Sequence, residues 1–188
     1  MTIHKASAGA SGAARAWQGL VFAVALLSAW PLTAEVTQSG EHGFTVRHTL
    51  ATPAEPFLVY RTLTAHIDQW WNPAHSWSGA AANLYMKTER GGCFCERLPN
   101  GGHVEHLRII YLAPGSELRF DGALGPLQGM AAQGRMTWKI DATESGSQVT
   151  FTYHVFGHPE GGLAGIAPAV DGVIGEQLQR LGERLAWD

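Results

Sequence analysis

The chain has 188 residues, 45% hydrophobic, 15% charged and 10% aromatic, which suits one domain with a real core and excludes a disordered chain. Thirteen Lys and Arg stand against sixteen Asp and Glu, a net charge of −3 at pH 7. A net-acidic chain without basic runs lacks the electrostatic footprint of a nucleic-acid or anionic-membrane binder.

Residues 1–18 are small and polar, with Lys5 and Arg15 and no acid, and Leu20–Trp30 is an uncharged run of eleven residues closed by Pro31. A charged start, a short apolar run and a small residue at Ala34 form the pattern of a secretory signal peptide, expected over 1–34. The run falls short of the roughly 20 apolar residues a bilayer needs. Cleavage after Ala34 is therefore the expectation, with an uncleaved anchor as the alternative. The product would be periplasmic or secreted, without a stable membrane anchor. It would keep 11 basic and 16 acidic groups, net −5. Residues 35–43 are polar and read as a short flexible lead.

Phe44–Leu50 alternates with period two and predicts a strand. Thr52, Pro53 and Glu55 fit a capping box, so a helix is expected to start there, with Phe57, Tyr60 and Leu63 at helical spacing. A second short helix is expected over His66–Trp71, ended by Asn72-Pro73. Six strands follow by pattern: Ala82–Lys87, Cys93–Leu98, His103–Leu112, Leu118–Asp121, Gly134–Asp141 and Gln148–Phe156. Asn100-Gly101 marks a hairpin turn. Val149, Phe151, Tyr153 and Val155 share one strand face, opposite Thr150, Thr152 and His154, which predicts an antiparallel sheet with one wet side. Between Gly122 and Gln133 an apolar, Gly-rich stretch reads as a long loop. The chain closes with a helix whose stripe is Ala167, Asp171, Ile174, Leu178, Leu181 and Leu185. Gly175 adjoins that stripe and leaves space there. The order predicts an α+β fold in which a curved antiparallel sheet grips the long last helix.

Several strings in this order carry a resemblance: Asp68-Gln69-Trp70-Trp71, Gly91-Gly92-Cys93-Phe94-Cys95-Glu96, Leu112-Ala113-Pro114-Gly115, Leu124-Gly125-Pro126-Leu127 and Val170-Asp171. Over residues 44–187 the chain resembles the helix-grip domains of the START-like SRPBCC superfamily, near the polyketide cyclase/dehydrase and lipid-transport branch. The branch of chaperone ATPase activators is also similar. The resemblance implies a deep apolar cavity between sheet and last helix. Its members bind lipids, sterols or polyketides, and a minority catalyse cyclisation or hydrolysis. Fold alone does not choose among these.

Individual residues then suggest a site. Trp70 and Trp71 point about 100° apart on a helix, so one can face the core and the other a pocket. Asp171 is a carboxylate on an apolar stripe and needs a partner there. His106 is a candidate acid, base or hydrogen-bond donor. His103 and His106 lie three apart on a strand, and no zinc-binding spacing occurs, so no metal or other cofactor is expected. Cys93 and Cys95 share a strand face with Cα atoms about 6.5–7 Å apart in regular geometry, at or past the limit for a disulfide. They read as two small apolar side chains, with a redox role as the alternative.

The expected activity is that of an exported carrier for a small hydrophobic molecule in a cavity of about 300–1,000 Å³. Its expected lining is Trp70 or Trp71, His106, Leu127, Met130, Tyr153, Asp171 and Ile174. The alternatives are a cyclase- or hydrolase-type enzyme using Asp171 or His106, and a protein-interaction module.

Overall fold

The computed structural model describes residues 1–2 and 33–187, so the signal-peptide expectation lies almost wholly outside the described residues. Eight strands form one antiparallel sheet in the order β1-β2-β8-β7-β6-β5-β4-β3. They are β1 (Thr33–Gly40), β2 (Gly43–Thr52), β3 (Leu84–Met86), β4 (Cys93–Arg97), β5 (His103–Ala113), β6 (Glu117–Asp121), β7 (Ala132–Thr143) and β8 (Gly146–Gly157). The helices are α1 (Pro56–Ala65), α2 (Ile67–Trp70) and α3 (Ala167–Leu185). This is the α+β arrangement expected, with the long last helix on the inner face of the sheet.

The core follows from strand alternation. Val149, Phe151, Tyr153 and Val155 of β8 are buried, as are Met136, Trp138 and Ile140 of β7, and both sets share one hydrophobic core with the buried stripe Ala167, Ile174, Leu178, Leu181 and Leu185 of α3. Trp138 makes edge contacts with Trp70 and Phe151, so the aromatic centre of the core joins the sheet to α2.

Three local expectations are corrected. The segment 35–43 is not a flexible lead. Most of it belongs to β1, which pairs with β2 from Thr33↔Thr49 to Gly40↔Gly43, leaving only a two-residue turn. Period-two patterning is weak there because β1 is an edge strand and its Gln38–Gly40 end faces solvent. Helix α1 begins three residues later than the capping-box pattern suggests. Pro56, not Pro53, occupies its first turn, and Thr52 ends β2 with its Oγ1 accepting the Ala54 amide at 3.3 Å. Finally, Cys93 and Cys95 are joined in a disulfide, their Cα atoms 5.5 Å apart. Strand β4 is not regularly extended there, and its pairing with β5 shifts register at that point.

Candidate functional site

The register shift between β4 and β5 builds the centre of the site. Phe94 pairs with Leu107 and Cys95 with Glu105, so His106 is the extra residue of a β-bulge. A bulge re-aims its side chain. His106 and Leu107 are both buried, against the alternation of a regular strand. The imidazole stacks on Phe94, with ring centroids 4.7 Å apart, and Phe94 in turn contacts Trp71 edge-on.

Glu96 lies on the same face of β4 as Phe94, fully buried, and its Oε2 accepts from His106 Nε2 at 3.0 Å. The same oxygen accepts the Trp77 amide at 3.0 Å, and Oε1 accepts the Ser78 amide at 2.5 Å. Burial pushes the Glu96 carboxyl up, but the bonds from Ser78, Trp77 and His106 outweigh it and hold the group below its ordinary 4.5. Burial pushes the His106 imidazole below its ordinary 6.5, against the pull of Glu96. At neutral pH the pair is thus a carboxylate and an uncharged imidazole. A carboxylate only accepts, so the imidazole proton sits on Nε2 and Nδ1 is a bare acceptor.

His106 stands on the floor of a cavity of about 350 Å³. The floor is made of Trp71, His106, Leu127 and Ile174, all buried. The rim carries exposed residues: Ala74, Trp77, Pro126 and Ala169. One wall is α3, whose Ala169, Val170, Val173 and Ile174 follow helical spacing along a single face, extended by the capping residue Ile166. The opposite wall is a 3-10 turn at Gly125–Gly129, which takes the place of the expected long loop. This turn is pinned at two points. Tyr153 Oη accepts the Leu124 amide at 3.0 Å and donates to Gly122 O at 3.3 Å, while Gln128 Nε2 donates to Glu105 O at 2.8 Å. Burial drives the Tyr153 phenol far above its ordinary 10, so it stays protonated.

Of the residues singled out from sequence, Trp71, His106, Leu127 and Ile174 come together on the cavity floor. Four do not line it. Trp70 faces the core, its Nε1 donating to Thr62 O at 3.1 Å, as the angular offset from Trp71 requires. Tyr153 lies behind the turn that it anchors. Met130 is half-buried just beyond that turn. Asp171 points to the sheet, where its Oδ1 pairs with His48 Nε2 at 2.8 Å, because the stripe it shares with Ala167 and Leu178 adjoins the cavity wall of α3 and meets it only at Ile174. Sequence reasoning missed Glu96 and His48. Both could have been flagged by period two: Glu96 falls on the face of Phe94, and His48 on that of Val46 and Leu50.

The comparisons fit this geometry. An uncharacterized protein from Rhizobium leguminosarum superposes with a TM-score of 0.55 at 18% identity, over 84% of this chain and 99% of its own. A protein from Rhodobacter sphaeroides gives 0.55 at 17% identity, over 84% and 100%. The chain has a helix-grip fold. DynU16, a protein in the dynemicin biosynthetic locus, is similar at a TM-score of 0.53 and 14% identity, over 76% of this chain and 47% of that one. At such identities the helix-grip likeness shows the fold alone. No family model matches the chain, and no curated protein does.

Proposed function

We propose that the protein binds and carries a small hydrophobic molecule of the lipid, sterol or polyketide kind, and that it is an exported member of the START-like SRPBCC superfamily. The observation that carries this reading is the cavity of about 350 Å³, walled by aliphatic and aromatic side chains and within the range of small-molecule sites. The resemblance of the sequence to polyketide cyclase and lipid-transport domains supports it, as does the biosynthetic locus of DynU16. Export is supported by the N-terminal pattern and by the Cys93–Cys95 disulfide, which suits an oxidising compartment.

The test is binding of an uncharged hydrophobic fluorophore to the purified protein. Native protein binds it, and Ile174→Trp, which fills the floor, abolishes binding while the cooperative melting transition is retained. A wild-type protein that leaves the probe in water contradicts the reading. A cyclase- or hydrolase-type enzyme is the second reading, favoured by one observation: the buried Glu96–His106 pair on the cavity floor.

A further inference from the structure

The polar lining of the cavity is sparse, and most of it is engaged. Ser76 Oγ donates its proton to Pro73 O at 2.8 Å, and His75 Nε2 pairs with Glu176 Oε2 at 3.1 Å. His106 differs. Its Nε2 is held by Glu96, its ring lines the floor, and Nδ1 has no hydrogen bond to any described residue. Nor is Nδ1 sealed off, since the one buried side-chain polar atom without a partner among the described residues is His48 Nδ1. The otherwise apolar floor of the cavity therefore offers a ligand one bare acceptor, held in place from behind by a buried carboxylate.

Three ligand chemistries meet that acceptor differently. A hydroxyl donates to it, and the more acidic the hydroxyl, the stronger the bond. An ether or hydrocarbon leaves the acceptor desolvated and unpaired, which costs affinity. A carboxylate brings a second negative charge toward Glu96 and has no proton to give, so it is repelled.

Resting on the carrier reading above, we infer that the cavity selects apolar ring compounds bearing a weakly acidic hydroxyl, a phenol or enol, whose O–H donates to His106 Nδ1, and that it discriminates against free carboxylic acids such as fatty acids. His106 is then the specificity-determining contact. Glu96 is a positioning residue, which keeps the imidazole proton on Nε2. The bulge between β4 and β5 is the backbone device that turns His106 into the cavity.

The experiment uses three probes of one shape on the whole protein at pH 7.5: 2-naphthol, 2-methoxynaphthalene and 2-naphthoate, with affinities read by fluorescence titration. 2-Naphthol is expected to bind about tenfold more tightly than the methyl ether, as one hydrogen bond to a desolvated acceptor allows, with 2-naphthoate weakest. In His106→Phe the naphthol advantage disappears, while the ether binds at least as well as before. The wild-type ranking is decisive without any variant. Equal binding of naphthol and ether overturns the inference and leaves the carrier reading standing, as does naphthoate binding most tightly. Failure of all three probes, together with failure of the uncharged fluorophore, overturns the carrier reading and this inference with it. A naphthol preference that survives in a folded His106→Phe protein also overturns the assignment to His106.

Discussion

Two histidines are buried among the described residues, each paired with a carboxylate, and they sit in opposite circumstances. His106 bonds Glu96 at the cavity floor, where the carboxylate is 0% exposed and carries bonds from two amides besides the imidazole. His48 bonds Asp171 between the sheet and α3, where the imidazole is 1% exposed and the carboxylate 25%. In the first pair the carboxylate is sealed and the histidine reaches the cavity. In the second the histidine is sealed, with Nδ1 unpartnered, and the carboxylate reaches water. The same two groups thus make a cavity-facing acceptor in one place and a strut between helix and sheet in the other. Which end faces the open side decides the role.

The sharpest way to break this contrast is to remove each carboxylate. Glu96→Ala leaves three donors unpaired, the Trp77 and Ser78 amides and the His106 Nε2 proton, and is expected to cost about 3–5 kcal/mol in urea denaturation. Asp171→Ala removes a carboxylate that already reaches water and deprives only His48 of a partner, for an expected cost of about 1–2 kcal/mol. It should leave probe binding unchanged, because Asp171 does not line the cavity. Equal costs would erase the distinction.

Acid should act on the Glu96 pair in two windows. The folded His106 pKa lies below 6.5, so as pH falls through 6.5 the unfolded chain takes up a proton that the folded chain refuses, and stability is lost down to the folded value. The folded Glu96 pKa lies below 4.5, so further stability is lost as pH falls from 4.5 through that value. Urea midpoints measured from pH 8 to pH 3 should therefore fall as pH drops through both windows, and Glu96→Gln should flatten the lower one. Stability that rises on acidification from pH 6.5 contradicts this arrangement.

The strut makes a smaller prediction. A Cβ added at Gly175 would stand 2.9 Å from His48 Cε1. Gly175→Ala gains about 1 kcal/mol of helix propensity but crowds the ring, and is expected to be destabilising by about 1 kcal/mol net. In a His48→Ala background the same substitution should turn stabilising, which a double-mutant cycle reads directly.

Much of this architecture is legible in the residues. Strong alternation in Val149–Val155 and the helical stripe from Ala167 to Leu185 set the sheet face and the gripped helix, and both are found as patterned. His106 and Asp171 also stand out, each polar where its surroundings are apolar. Their partners were harder to see, because pairing is a tertiary matter: His48 lies 123 positions from Asp171. The orientation of His106 depends on a bulge that no local pattern announces. Asp171 shows the converse limit. Helical spacing tells that it faces inward, but not whether inward means the cavity or the sheet. The disulfide was missed for the same reason as the bulge, since regular strand geometry keeps Cys93 and Cys95 too far apart.

The central claim is that His106 presents a bare Nδ1 to the cavity, with its proton held on Nε2 by Glu96. Long-range 15N–1H NMR of the imidazoles at pH 7.5 tests it most directly, using His106→Phe for assignment. The account predicts an uncharged His106 ring with the proton on Nε2 and the Nδ1 shift of an unprotonated acceptor, moving toward a hydrogen-bonded value when 2-naphthol is added. A ring protonated on both nitrogens at that pH, or a proton resident on Nδ1, would contradict it.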